Sequence, residues 1–281
     1  MAPLPSCIRC LQGASAAGAR ALAAAVRRAR RRAFSGAAAS PASEAMQWLE
    51  RLEPRSLPAD CCVITGLPGW FEVQQLTAMS LQEYSEWFRW AASLVLTRCP
   101  KGSLAIFRQS DALCGERWVD EAFLLCAAAE ACGAALLWHK LVFDASAVGT
   151  PRHGAVADYS HLLCFVAGPP ALDRLRSDVV QRSDGHSVAP AAGRCELPDL
   201  LQGSAGNDGD GALLATLRWL ARMRPRPRLV VDPFACGVRT SSRSNLRDSS
   251  GVGAVLELAA QEGFAVLGGP PAAVGGPTGV R

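Results

Sequence analysis

No apolar run in this sequence reaches the roughly 18 residues that a membrane span requires, so no membrane-spanning segment is expected. Its 11 cysteines are an odd number without regular spacing, which excludes a disulfide framework. Most sit inside apolar runs, as in Leu124-Leu125-Cys126-Ala127 and Leu163-Cys164-Phe165, and read as small buried hydrophobes of a reducing compartment. The single Cys-x-x-Cys, Cys7 to Cys10, has no second ligand pair, so no metal site is expected. The most telling absence is of acids: none precedes Glu44, while the first 43 residues hold seven arginines (Arg9, Arg20, Arg27, Arg28, Arg30, Arg31, Arg32). Without them the formal charge of +4 becomes about −3 for the body, from 22 basic and 25 acidic residues. A net-acidic body argues against salt-driven coating of nucleic acid and leaves room only for a local basic groove.

Residues 1–43 are rich in Ala, Arg and Ser, and Arg32-Ala33-Phe34-Ser35 is similar to the Arg-x-Phe-Ser context cut by organellar processing peptidases. We read the segment as a transit peptide, mitochondrial with plastid as the alternative, and expect the mature chain to start near Phe34 to Ser40. A disordered basic tail or a nuclear-import patch at Arg27–Arg32 is the competing reading.

The body of some 240 residues suits one large domain, expected over 44–268. A short helix over 44–52 leads to an apolar strand, Cys61-Cys62-Val63-Ile64, which opens into Thr65-Gly66-Leu67-Pro68-Gly69-Trp70. Ser80 and Glu83 have capping-box spacing, and the helix after them puts Tyr84, Trp87, Phe88, Ala91 and Val95 on one face. A strand at 103–107, a helix at 119–132 and two strands at 134–143 and 161–166 follow. The segment 168–211, dense in Pro, Gly, Ser and Asp, reads as a long irregular connection. Then come a helix at 212–223, a buried strand Leu229-Val230-Val231 ending in Asp232-Pro233-Phe234, a helix at 253–262, a strand at 264–267 and a Gly/Pro tail at 269–281. Strands alternating with helices predict an α/β fold with a doubly wound, mostly parallel sheet.

In such a sheet ligands sit at the carboxyl ends of strands, which singles out Thr65–Trp70, Arg108–Asp111, His139-Lys140 and Asp232–Gly253. An acid at the end of a buried strand, then glycines opening a helix, is what a nucleoside-bearing cofactor needs. Leu229-Val230-Val231-Asp232-Pro233-Phe234, with Gly251-Val252-Gly253-Ala254-Val255-Leu256 and Gln261-Glu262-Gly263-Phe264-Ala265-Val266-Leu267-Gly268, resembles the Asp-Pro-Phe-x-Gly-x-Gly-Thr motif of S-adenosylmethionine-dependent methyltransferases. That motif form is typical of the amino-methyltransferases acting on nucleic-acid bases. In their permuted order the target loop comes first, and Val63 to Trp70 occupies its place; Asp158-Tyr159-Ser160-His161-Leu162-Leu163-Cys164-Phe165 is similar to the late His-containing strand. The resemblance spans about 60–268. It implies a Rossmann-like methyltransferase fold in permuted order, S-adenosyl-L-methionine as cofactor, contacts to it from Asp232, Pro233, Phe234, Gly251 and Gly253, and acceptor or catalytic contacts from Thr65, Pro68 and Trp70. The implied acceptor is a nucleic-acid base, RNA or DNA, or another amine; a non-catalytic module of the same fold that binds RNA or a protein is the alternative.

Three departures qualify it. Sixteen residues, Ala235 to Ser250, part Asp232-Pro233-Phe234 from Gly251-x-Gly253; excising them would leave a near-family motif, while Cys236-Gly237-Val238-Arg239-Thr240 offers a second, imperfect register. Leu267-Gly268 runs into Gly269-Pro270-Pro271 without the ribose-binding acid, and the sheet is expected to be incomplete on its C-terminal side. In the target loop Gly66 replaces the polar residue, Leu67 the first proline and Gly69 the stacking tyrosine, so Thr65 and Trp70 would have to supply a polar group and an aromatic face. Plainer roles stand beside these: Asp232 as a strand-end cap, His139 and Lys140 on opposite faces of a strand, His161 hydrogen-bonding at a strand start, and Arg108, Gln109 and Asp111 in a solvated loop. Most tryptophans, Trp87, Trp90 and Trp219 among them, read as core.

Fusing residues 1–43 to a fluorescent reporter is expected to carry it into mitochondria, or into plastids where the cell has them; a diffuse cytosolic signal would refute the leader.

Overall fold

Helix α1, Pro41–Arg51, opens the fold. A computed structural model of the chain describes residues 41–76, 79–144, 159–168, 200–203, 210–223, 225–235 and 251–269. Residues 1–40 of the expected leader lie outside these. Pro41, with its preset φ, suits a first helical position. Ala45, Met46 and Leu49 of α1 are buried.

Strand β1 (Cys61–Thr65) is buried throughout, as a strand covered on both faces must be. Helices α2 (Trp70–Leu76) and α3 (Leu81–Arg98) return the chain to β2 (Leu104–Gln109). The capping box forms as read: Ser80 Oγ accepts the Glu83 N–H at 3.3 Å and the Glu83 carboxylate accepts the Ser80 N–H at 2.9 Å. Tyr84, Trp87, Phe88, Ala91 and Val95 are all buried along α3. A hairpin of β3 (Ala112–Cys114) and β4 (Arg117–Val119) precedes α4 (Glu121–Ala131), whose N-cap Asp120 accepts the Phe123 N–H at 2.7 Å. Then follow β5 (Ala135–Asp144), β6 (Tyr159–Val166), β7 (Leu200–Gly203), α5 (Asp210–Arg222), β8 (Leu229–Asp232), α6 (Gly251–Gln261) and β9 (Ala265–Gly268).

Seven strands form one sheet in the order β7-β5-β6-β2-β1-β8-β9. β1 pairs in parallel with β2 and β8, β8 with β9 and β5 with β7, while β6 is antiparallel to both β2 and β5. Every strand but β6 therefore points the same way. Helices α1, α3 and α4 cover Val63, Phe107, Phe165 and Val231 on one face. Helices α5 and α6 cover Ile64, Ile106, Cys164 and Val230 on the other. This is a doubly wound α/β fold with a mostly parallel sheet. The late strand β8 inserts beside β1 at the middle of the sheet, and the chain leaves β1 toward β2 on one side and β8 toward β9 on the other. Such a reversal opens a crevice at the carboxyl ends of the two strands.

The segment 168–211, expected as one irregular connection, contains β7 and the start of α5. Four residues flanked by Pro and Gly show no periodicity of their own; β7 exists because Leu200 to Gly203 pair with Leu141 to Asp144 of β5. Residues 169–199 and 204–209 lie outside the described set. So do 236–250 of the insertion and 270–281 of the tail. The flanks of the insertion and tail are structured: the Ala235 and Gly269 N–H groups both donate to the Asp232 carbonyl, at 3.3 and 3.0 Å. The β3–β4 hairpin and α2 escaped the sequence reading because neither is long enough to carry a hydrophobic period. The seven described cysteines are free thiols, four of them buried, and burial pushes Cys61 up to about 11. No described helix is long and apolar enough to cross a membrane.

Phe107, fully buried between the sheet and α3 and edge-on to Phe165 at 5.9 Å, anchors this core. Phe107→Ala should lower unfolding free energy by about 3–5 kcal/mol and Ser80→Ala by about 1 kcal/mol, read from urea midpoints. A smaller loss for Phe107→Ala than for Ser80→Ala would contradict this packing.

Candidate functional site

The carboxyl ends of β1 and β8 bring Thr65 and Asp232 together. Thr65 Oγ1 donates to Asp232 Oδ1 at 2.6 Å, and the Phe234 N–H donates to the same oxygen at 3.1 Å. Both side chains are buried, Asp232 completely. The second carboxyl oxygen, Oδ2, is buried with no hydrogen-bond partner among the described residues. Burial pushes the Asp232 carboxyl up to about 7, against the opposing pull of Thr65 and the Phe234 and Ala235 N–H groups. Pro233 and Phe234 are buried in the turn beyond, with Phe234 packed in the core. Gly251 and Gly253 open helix α6, which packs on β8 and β9.

Gly268 ends β9, where the resemblance implies a ribose-binding acid. A Cβ there would lie 2.8 Å from Leu256 Cδ1, so any side chain at 268 would require Leu256 to turn away. The residue paired with Asp232 across β8 and β9 is thus a glycine set against α6, not a carboxylate.

The loop after β1 is clamped by three side chains. Gln109, at the end of β2, closes both backbone groups of Leu67: its Oε1 accepts the Leu67 N–H at 3.0 Å and its Nε2 donates to the Leu67 carbonyl at 2.8 Å. Gln109 Nε2 also donates to Glu121 Oε2 at 2.7 Å, and the Tyr84 hydroxyl donates to Glu121 Oε1 at 2.5 Å. Glu121 is fully buried at the first turn of α4. Burial pushes its carboxyl up to about 7, with hydrogen bonds from Tyr84, Gln109 and the Trp70 backbone acting the other way. Gly66 has no side chain because a Cβ would come within 3.1 Å of the Arg108 carbonyl. Pro68 presents its carbonyl 3.4 Å from the Tyr84 hydroxyl. Trp70 is half-buried and edge-on to Tyr84 at 5.3 Å.

A second polar cluster adjoins the first. Asp111 Oδ1 accepts the Glu121 N–H at 3.1 Å, while Oδ2 accepts from the Tyr159 hydroxyl at 3.2 Å and pairs with His161 Nε2 at 3.3 Å. His161 Nδ1 lies 2.7 Å from His139 Nε2. Burial, then the neighbouring His161, lowers the His139 pKa. Thr65, Phe107, Leu163 and His139 occupy one cross-strand row, which sets Thr65 and His139 about 14 Å apart. Lys140 points to the opposite face with Leu162, as alternation required. Among the described residues, no group of three or more His, Cys, Asp or Glu is arranged to hold a metal ion.

The structure therefore joins Thr65 to Asp232 and leaves Pro68 and Trp70 on the adjoining loop. Sequence reading missed Glu121 and Tyr84 as site residues. Tyr84 was legible only as an apolar-face residue, and of the tandem acids Asp120-Glu121 nothing in the sequence says that the first caps the helix outside while the second is buried.

No protein-family model matches the chain, and no curated protein matches it. Among solved structures it is similar to a candidate DNA modification methylase from Thermus thermophilus in complex with S-adenosyl-L-methionine, at 15% identity over 82% of this chain and 87% of that one, with a TM-score of 0.46. It is also similar to the cytosine-N4-specific DNA methyltransferase PvuII (14% identity, 78% and 77% covered, TM-score 0.47) and to M1.HpyAVI bound to S-adenosylmethionine (12%, 80% and 87%, 0.42). The fold class rests on the strand order and directions given above.

A carboxyl whose pKa is near 7 when folded and near 3.8 when free binds its proton more tightly in the folded chain. Its contribution to stability is present at acid pH and is lost as pH rises through that interval. Asp232→Asn should accordingly weaken the fall of the urea midpoint between about pH 4 and 7. An unchanged slope in the variant would show that Asp232 does not titrate abnormally.

Proposed function

We propose that this chain is an S-adenosylmethionine-dependent methyltransferase acting on an amine, with an exocyclic nitrogen of a nucleic-acid base as the favoured acceptor class. The observation that supports the reading most is the buried Asp232 carboxyl at the β1/β8 crevice, one oxygen held by Thr65 and the Phe234 N–H and the other without a partner among the described residues. An unpaired buried acceptor suits an ammonium group, which the methionine end of the cofactor carries. The fit is partial. Gly268 offers no second carboxylate, so ribose hydroxyls would have to bind backbone groups at the end of β9 or the N-terminus of α6.

When bound, the sulfonium supplies an already activated methyl group, transferred as its S–C bond breaks and an N–C bond forms. The chain's own task is positioning. Thr65 fixes the rotamer of Asp232, and Asp232 orients the donor. Gln109 holds the Leu67 backbone rigid, so that the 66–70 loop forms one wall for the acceptor. The acceptor amine loses its proton after transfer, which requires no strong base at the loop. The glycine at 268 also favours a second reading, a fold retained for binding RNA or a protein after cofactor affinity has fallen. Residues 1–43 support delivery of this activity to mitochondria, or to plastids.

Calorimetric titration of the full chain with S-adenosylmethionine should give saturable heat, and Asp232→Ala should weaken binding by about 10- to 100-fold, as expected for loss of a charge-assisted hydrogen bond. No heat at millimolar cofactor would overturn the enzyme reading and favour the second.

A further inference from the structure

The Tyr84 hydroxyl lies within reach of two acceptors. Glu121 Oε1 is 2.5 Å away and the Pro68 carbonyl 3.4 Å. A phenol has one proton and can give it to only one of them. The ring itself cannot move to choose: Trp70 meets it edge-on at 5.3 Å, Trp87 stacks on it at 6.0 Å with a 27° tilt, and Phe88 lies at 5.8 Å. Only the hydroxyl proton is free to turn.

We propose that Glu121 and Tyr84 form a positioning pair for the 66–70 loop, in which the phenol donates to the ionised Glu121 carboxylate but, once Glu121 is protonated and itself donates to the phenol oxygen, donates instead to the Pro68 carbonyl. One proton enters from water on Glu121 Oε1, and no other bond changes. Oε2 accepts from Gln109 Nε2 in both states, so the Leu67 clamp persists while Pro68 gains or loses its hydrogen bond. The protonated state thus adds a tie at Pro68 to those at Leu67 and Gly69, which both states keep. The importance of this for methyl transfer rests on the acceptor-loop role proposed above; the exchange itself is a property of the chain.

The surroundings place the exchange within the neutral pH range. Glu121 is fully buried, its carboxyl is raised to about 7, and Tyr84, buried and beside that carboxyl, is raised well above its ordinary value and so remains a donor. The charged and titratable groups around the pair are Asp111, which takes the Glu121 N–H and raises its carboxyl further; Asp120 on the same helix; and Glu72 of α2, which accepts the Gly69 N–H at 2.8 Å. His161 and Tyr159 lie one hydrogen bond further out, on Asp111. The loop backbone lies against the carboxyl, since a Cβ on Gly69 would sit 3.9 Å from Glu121 Oε1.

Nuclear magnetic resonance of the full chain tests this without any ligand. The Pro68 carbonyl carbon and the Gly69 amide should titrate together between about pH 5.5 and 8.5 with a midpoint near that of Glu121, the carbonyl moving downfield on the acid side. Glu121→Gln should fix the acid-side shifts at every pH, because its amide donates to the phenol as the protonated acid does. Tyr84→Phe should fix the alkaline-side shifts. A Pro68 carbonyl that does not titrate in the wild-type chain, or that titrates equally in Tyr84→Phe, would overturn the proposal; the second comparison stands even if the Glu121 variant fails to fold. A flat Pro68 signal in a chain that binds S-adenosylmethionine would defeat only this inference, and a titrating signal in a chain that gives no binding heat would defeat only the methyltransferase reading.

Discussion

A carboxyl group buried at the end of a central strand must be held by its neighbours, because water is not there to hold it. Asp232 meets this constraint with a hydroxyl from the strand beside it and one backbone N–H, and among the described residues its second oxygen has no partner. The pairing of β8 with β1 brings the two side chains together, and that pairing exists only because the chain reverses its direction of winding there. The crevice, the turn into Pro233 and Phe234 and the backbone bonds from Ala235 and Gly269 to the Asp232 carbonyl are all arranged around this one acid.

The same logic repeats on the neighbouring strands. Glu121 is taken out of water by α4, and its two oxygens are satisfied by Gln109 and Tyr84. Those two residues in turn hold the loop after β1. Asp111 joins this group to the histidines of β5 and β6 through the first N–H of α4. Gln109, Glu121, Asp111, His161 and His139 are therefore linked through hydrogen bonds across the ends of β2, β5 and β6 and the start of α4. In a low-dielectric setting such linked groups shift one another's proton affinities, and the geometry of the loop becomes tied to their charge.

Much of this was legible along the chain. Leu229 to Val231 followed by an acid reads as a buried strand with a ligand-facing end, and Ser80 with Glu83 reads as a helix start; both elements are found. Elements defined by pairing rather than by period were not legible: β7 needs β5, and the β3–β4 hairpin is three residues to a strand. Thr65 was singled out as a displaced polar group for an acceptor, and the structure commits it to Asp232. Trp70 was singled out for its aromatic face, and the structure packs it edge-on against Tyr84.

By itself the sequence determined the alternation of strands and helices, the net acidity of the chain beyond its arginine-rich first 43 residues, and the placing of Asp232 at a strand end, because hydrophobic periodicity, capping and charge are local properties. Tertiary structure decided which polar groups share a proton. Glu121 and Asp120 are adjacent acids of the same kind in the sequence, yet one caps α4 at the surface and the other is buried against Tyr84 and Gln109, contacts 37 and 12 residues away along the chain. Burial and partner are set by packing across the sheet, and no local pattern encodes them.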